Sequence, residues 1–344
     1  MTTHRKKFKN PRARHDFVGR SCSIAAVGSY VPDRVLTNED LGKIVDTSDE
    51  WITTRTGIKE RRMAAAHEYT SDLATKAALR AMERAKVTPE QIDLIVLATI
   101  TPDMPFPSTA CLVQKKIGAH RAAAFDIEAA CSGFIFALEI GMHFVMARTY
   151  ETVLVIGAEK LSSIINWKDR STCVLFGDGA GAAILRHRPQ AQGLLTACIG
   201  SDGTKSHLIC MPGGGSKCPP SAESIAGDMH YLRMEGRETF KSAVNAMSAA
   251  ATEALRRCEI DISQIKCVIP HQANRRIIDA ISERLGARPD QVFVNLHKFG
   301  NTSAASVAIA LDEAVQEGRI QRGDLILLIA FGSGLTWAAA VIEW

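Results

Sequence analysis

Two hydrophobic periods alternate along the chain. "SDLATKAALRAMERAKV" (71–87) repeats apolar positions at the spacing of a helix that buries one face, with Ser71 and Asp72 as cap candidates. "TPEQIDLIVLATIT" (88–101) then turns almost continuously apolar, as a parallel strand covered on both faces does. "YETVLVIGAEKL" (150–161) repeats that strand signal, and "CSIAAVGSYVP" (22–32) supplies a shorter one. Strands alternating with helices predict an α/β layered fold with buried central strands.

The second half of the chain repeats the first. A helical stretch, "SAVNAMSAAATEALRRC" (242–258), leads into "DISQIKCVIPHQ" (261–272), which parallels "TPEQIDLIVLAT" with Gln264-Ile265 matching Gln91-Ile92. "QVFVNLHKFGNTSAASVAIALDEAV" (291–315) parallels "AAAFDIEAACSGFIFALEIGM" (122–142): each reads as a strand passing through a small-residue turn into a helix. "GDLILLIAFGSGLTWAAAVI" (323–342) parallels "ETVLVIGAEKL" in its strand. Three matched blocks in one order predict duplication of one α/β unit. The expected division is a basic extension (1–20), a first half (21–190) and a second half (191–344), with the boundary between halves falling within 187–200. "FGDGAGAAIL" (176–185) lacks the lysine of a phosphate loop and reads as a tight turn between strands, and "MPGGGSKCPPS" (211–221) as a surface loop.

Composition sharpens the class. With 46% apolar and 23% charged residues over 344 positions, the chain is globular and can bury a large core. Its net charge of +4 is uneven: residues 1–20 hold seven Lys/Arg against Asp16, so this arm carries +6 and the remainder −2. The arm has no apolar core of a secretory signal and is expected to be a disordered extension. No apolar run approaches the ~18 residues of a membrane span. Nine cysteines without a C-x-x-C pair, and ten scattered histidines, point to free thiols in a reducing cytoplasm and to no metal site.

The chemistry is concentrated at strand ends. Cys131 lies in "FDIEAACSGFIFALEIGM", where a strand gives way to an apolar helix. A buried structural cysteine suits that place, and so does a nucleophile, because backbone N–H groups at a helix start favour a thiolate and lower its pKa. His271 follows directly on an apolar strand, and Asn301 in "FGNTSAAS" occupies, through the duplication, the counterpart of the loop bearing Cys131. Carboxyl ends of strands are where sites gather in α/β folds. A thiol hydrolase uses Cys, His and Asn with water as acceptor; a carbon–carbon condensing enzyme acylates the cysteine and holds an enolate with His and Asn. The papain-like signature C-G-[SA]-C-[WY] is missing, and a duplicated α/β core is not the papain-like architecture.

The motifs "DTSDEWITTRTGI", "AFDIEAACSGF", "FGDGAGAA", "PHQANRRII", "GNTSAASV" and "FGSGLTW", in that order, make the chain from about Ser21 to Trp344 resemble the β-ketoacyl-[acyl-carrier-protein] synthase III family of the thiolase-like superfamily. The resemblance implies a five-layered αβαβα thiolase-like fold and a decarboxylative condensation of an acyl-CoA primer, acetyl-CoA by default, with a malonyl acyl carrier protein. Cys131 would be acylated, with His271 and Asn301 forming the malonyl-thioester site and the backbone N–H groups of Cys131 and Ser333 the oxyanion hole. Ser333 stands where the family often has glycine. Trp51 and Arg170 would hold the coenzyme A adenine between them, Arg55 would meet the phosphates, and Gly236 and Asn274 would line the pantetheine tunnel. Phe106, Leu161, Phe176, Leu208 and Phe331 would shape the acyl pocket, with Phe106 reaching across a homodimer interface into the partner's site. Lys241, Arg275, Arg276 and Arg284 would dock the acidic carrier protein. Arg276 and Arg284, eight apart, share a face if "RRIIDAISERLG" is helical. The implied substrates are the two thioesters, with no cofactor, nucleic acid or membrane partner. Secondary-metabolite condensing enzymes and acyltransferases on the same scaffold are the enzymatic alternative, and a non-catalytic acyl-CoA binder is the alternative of another class.

Overall fold

The computed structural model describes residues 21–187 and 193–344. The basic arm 1–20 and part of the expected boundary between halves lie outside the described residues. Nine strands form the two main sheets: β1 (Cys22–Tyr30), β2 (Leu94–Ala98), β3 (Ala123–Ile127), β4 (Thr152–Glu159), β5 (Gly179–His187), β6 (Leu194–Ser201), β7 (Cys267–Pro270), β8 (Leu325–Gly332) and β9 (Thr336–Glu343). The helices that build the layers and the cavity are α1 (Asp49–Thr56), α2 (Thr70–Ala85), α3 (Thr109–Ile117), α4 (Gly133–Met146), α5 (Gly236–Cys258), α6 (Arg275–Leu285) and α7 (Ala305–Gln316).

The first sheet has the order β1-β5-β4-β2-β3, and the second the order β6-β9-β8-β7. Val292 adds an isolated parallel bridge to β7 at the free edge, where β3 stands in the first sheet. In each sheet the strand before the reactive segment is parallel to its neighbour, β3 to β2 and β7 to β8. Parallel strands covered on both faces need apolar side chains at every position, and Leu94 to Ala98 are all at most 1% exposed.

The layers follow from which side chains cluster. Helices α2 and α3 pack on one face of the first sheet through Leu73, Ala77, Ala81 and Val113. Between the sheets lie α4 and α7, whose Phe134, Leu138, Val307 and Leu311 share one core with residues of both sheets. Outside the second sheet, α5 and α6 bury Val244, Met247 and Ile281 against Leu327 and Ile329. The result is the five-layered αβαβα arrangement. The middle helices are apolar nearly all round because each faces a sheet on two sides.

Several local expectations are corrected. The N-cap of α2 is Tyr69, whose backbone N–H donates to Asp72 at 2.9 Å, while Ser71 donates to Asp103 instead. "GAGAAIL" is strand β5 rather than a tight turn: a Cβ on Gly181 would lie 2.4 Å from the Ala308 Cβ, so the small residues let α7 approach the sheet. The strand expected at "QVFVNL" is reduced to the single bridge of Val292. The Gln272 side chain accepts the N–H groups of Asn295 and Leu296, at 2.9 and 3.2 Å, and turns the chain out of the sheet into a short helix.

Candidate active site

Cys131 sits in a 3-10 turn, Ala130–Ser132, between β3 and α4. Ala130 holds a left-handed backbone (φ 44°), which costs a residue with a Cβ about 1–2 kcal/mol. The surroundings over-determine it. The Thr336 hydroxyl donates to the Ala129 carbonyl at 2.9 Å, and Gly332, at the end of β8, comes so close that a Cβ there would meet the Cys131 nitrogen at 2.6 Å. The two sheets therefore meet at the nucleophile, one bringing the cysteine turn and the other a bare backbone edge.

His271 follows β7 with its backbone N–H bonded to the Ile329 carbonyl at 2.7 Å. Its Nδ1 is 2.5 Å from the Ser306 hydroxyl on α7. Asn301 is pinned through its backbone: its N–H donates to the Leu175 carbonyl at 2.8 Å, and its carbonyl accepts the Gly177 N–H at 3.0 Å. The crossing segment belongs to "FGDGAGAA", so part of that motif shapes the site. The Asn301 Oδ1 accepts the Ser303 backbone N–H at 2.8 Å, which leaves the amide nitrogen as the donor for a ligand.

All three expected reactive side chains line one cavity of about 440 Å³. Its lining also includes Trp51, Arg55 and Arg170, with Gly236, Asn274 and Arg276, and Leu161, Phe176 and Phe331 add apolar wall. Both guanidinium groups lie on the Trp51 indole, Arg55 at 4.7 Å and Arg170 at 4.8 Å from the ring centroid. At that spacing two stacks of ~3.5 Å each do not fit between Trp51 and Arg170, so an adenine between them requires the Arg170 side chain to swing aside. Asn274 is the N-cap of α6, its Oδ1 accepting the Arg276 N–H at 2.9 Å and its amide donating to the Arg55 carbonyl at 3.2 Å.

Other expected residues fall elsewhere. Leu208 is outside the cavity lining; it packs with the core beneath α5, and the neighbouring Ile209 faces the cavity instead. Phe106 is 84% exposed and does not line the cavity of its own chain. The Ser333 hydroxyl donates to the Ile209 carbonyl at 2.6 Å, so its side chain ties together two residues of the cavity lining. Among the basic residues, Lys241 pairs with Glu238 at 3.3 Å and Arg275 with Asp279 at 2.7 Å. Arg276 lies over the Phe240 ring at 5.6 Å and Arg284 donates to Asn245 at 2.6 Å. Helix α6 thus does carry Arg276 and Arg284 on one face, toward α5.

Burial dominates the electrostatics. It pushes the Cys131 thiol up to about 12; a hydrogen bond from Ser303 opposes the rise and the nearby Glu159 carboxyl adds to it. The helix start does not give a resting thiolate here, contrary to the sequence expectation. Burial likewise takes His271 down to about 3, so its imidazole is neutral throughout the physiological range. Glu159, at the carboxyl end of β4, is fully buried and raised to about 7 by burial. The sequence reading passed over it and over Ser303, although an acid closing an apolar strand in "VIGAE" was a legible signal.

Comparisons with known proteins give the chain's relatives. Models of the 3-oxoacyl-[acyl-carrier-protein] synthase III family match residues 125–203 and, for its C-terminal part, 255–344. The β-ketoacyl-[acyl-carrier-protein] synthase III of Caldanaerobacter subterraneus is 57% identical over 324 residues, covering 94% of this chain and 98% of that protein. The solved synthase III structure from Aquifex aeolicus is 49% identical with a TM-score of 0.88, over 94% of this chain and all of that one. The Thermus thermophilus structure is 47% identical with a TM-score of 0.87, over 94% and 99%. With its sequence alike over nearly the whole length and its cysteine, histidine and asparagine gathered in one cavity, the chain belongs to the β-ketoacyl-[acyl-carrier-protein] synthase III family.

Proposed function

We infer that the protein condenses an acyl-CoA primer with a malonyl acyl carrier protein, giving a 3-ketoacyl carrier protein, CO₂ and coenzyme A, and so starts fatty acid chains. The observation that carries this reading is the single cavity that joins Cys131, His271 and Asn301 to the Trp51, Arg55 and Arg170 cluster. Cys131 attacks the primer thioester, and the CoA sulfur leaves. The malonyl thioester then enters the same cavity. As its carboxylate departs as CO₂, the electron pair moves onto the thioester oxygen, where His271 and Asn301 donate hydrogen bonds to the enolate. The role requires a proton on His271 Nε2, and the Ser306 hydroxyl holds that tautomer by donating to Nδ1. The enolate carbon attacks the acyl-cysteine carbonyl, the backbone N–H groups of Cys131 and Ser333 receive the oxyanion, and as it collapses the C–S bond to Cys131 breaks, the sulfur taking up one proton from solvent to return to the thiol. The close approach forced by Gly332 supports that pairing. Donors aimed at such charge are each worth roughly 3–4 kcal/mol in the transition state.

Acetyl-CoA is the proposed primer, held against Leu161, Phe176 and Phe331. No cofactor beyond the two thioesters enters this chemistry. Arg276, with Lys241, Arg275 and Arg284, is the proposed dock for the acidic carrier protein. The exposure of Phe106 supports a homodimer in which this ring completes the partner's pocket. Among the described residues no helix is long and apolar enough to cross a membrane. The described cysteines are all free, which fits a reducing cytoplasm.

Intact-protein mass after brief incubation with a panel of acyl-CoAs tests the reading. Wild type is expected to gain an acyl group that malonyl carrier protein discharges into a 3-ketoacyl product, and Cys131→Ser to gain none. An adduct released by water alone, or no adduct with any primer, would overturn it.

A further inference from the structure

The resting thiol needs a base, and the site offers an unassigned one. Glu159 is 0% exposed, and every bond it makes comes from a neutral donor. Its Oε2 accepts the Thr101 hydroxyl at 2.6 Å and the Thr99 hydroxyl at 3.1 Å, and the Ile100 N–H reaches both carboxyl oxygens at 3.2 and 3.3 Å. The Ser303 hydroxyl donates to Oε1 at 3.0 Å. A shell of donors without an acceptor fits a carboxylate rather than a carboxylic acid. Burial without a counter-charge sets its proton affinity near neutrality, at about 7, where one group can take and return a proton.

Ser303 is the link. Ser303 lines the same cavity as Cys131 and acts on its thiol to lower the proton affinity, and its backbone, left-handed at φ 48°, is held by the bond from its N–H to Asn301. The remaining titratable groups nearby are otherwise committed. His271 is neutral and engaged with Ser306; Lys160 donates through Nζ to the carbonyls of Ala65 and Glu68; Asp178 accepts from Ser162 and Ala64.

We propose that Ser303 and Glu159 form the proton relay that ionises Cys131, the Glu159 carboxylate taking the thiol proton through the Ser303 hydroxyl. This rests on the reading of Cys131 as the acylated nucleophile. As the Cys131 sulfur bonds to the primer carbonyl carbon, its S–H proton moves to the Ser303 oxygen, and the Ser303 proton moves to Glu159 Oε1. The C–S bond to coenzyme A then breaks, and the departing sulfur takes the proton back through the same hydroxyl. Glu159 ends as it began, and coenzyme A leaves as the thiol. Solvent is a poor substitute, because burial holds the thiol proton well above its usual range.

The test is the rate of Cys131 acylation by acyl-CoA, followed by rapid quench and intact mass between pH 5.5 and 9, in wild type, Glu159→Gln and Ser303→Ala. The wild-type rate is expected to fall as the pH drops through about 7. Both variants should acylate roughly 100-fold more slowly and lose that limb. A merely structural defect would slow acylation but keep the wild-type limb. If Glu159→Gln does not fold, Ser303→Ala decides. Variants that acylate with the wild-type limb overturn the relay alone. A wild type that takes no acyl group overturns the nucleophile reading and the relay with it.

Discussion

The Asn301 side-chain oxygen accepts the Ser303 backbone N–H at 2.8 Å, and that one bond orients two functions. It turns the Asn301 amide nitrogen toward the cavity as a donor, and it fixes the residue whose hydroxyl donates to Glu159. Asn301→Asp preserves the acceptor and removes the donor. It is expected to lower malonyl decarboxylation at least 100-fold while leaving acylation of Cys131 in place. Release of labelled CO₂ from malonyl carrier protein, set beside intact mass, checks the split; normal decarboxylation would remove Asn301 from the enolate site.

His271 should show no titration in the working range. Its folded value near 3 lies below the ordinary value of 6.5, so protonation stays excluded until the solution is strongly acid. The decarboxylation rate of pre-acylated enzyme is therefore expected to be flat from pH 8 to 5. The linkage has the matching sign: the unfolded chain binds a proton here below about 6.5 and the folded one does not, so stability falls as the pH falls from 6.5 toward 3. Urea titrations of wild type and His271→Asn between pH 7 and 5 measure this, and an equal acid loss in the variant would assign it to other groups.

The Trp51 and Arg170 stack predicts where coenzyme A is recognised. Arg170→Ala should raise the KM for acyl-CoA by about 2- to 30-fold, the scale of a cation–π contact of about 0.5–2 kcal/mol. The reaction with acyl-pantetheine, which has no adenine, should be unaffected. An equal effect on both substrates would place Arg170 in the packing rather than in recognition.

Gly332→Ala tests the meeting of the sheets. Its methyl would press on the Cys131 nitrogen at 2.6 Å, and backbone cannot yield as a flexible side chain can. Overpacking of this kind costs about 1–3 kcal/mol of stability. The variant is expected to melt earlier and to acylate poorly; full acylation at wild-type stability would mean that the turn can shift without loss.

Much was legible before the fold. Periodicity placed β2, β4 and α5, because buried parallel strands and two-sided helices leave unbroken or 3.6-period apolar patterns that depend only on neighbouring residues. The repeated blocks anticipated two sheets of matching order, and the quoted motifs carried Cys131, His271 and Asn301. What remained hidden had non-local causes. The strand at "QVFVNL" dissolved because a glutamine from another segment takes its N–H groups. Leu208 turned inward while Ile209 took the cavity wall, a choice between adjacent apolar residues that hydropathy cannot make.

The amino-acid order by itself determined most of the strands and helices and which three side chains carry the chemistry. Only the tertiary structure decided their protonation and partners. Burial is a property of all the layers together, so it took the folded molecule to make Cys131 a resting thiol, to hold His271 neutral, and to poise Glu159 near 7. The Ser303 hydroxyl that joins the first to the last is 144 positions from Glu159 along the chain, and only the packing of α7 between the sheets brings them within a hydrogen bond.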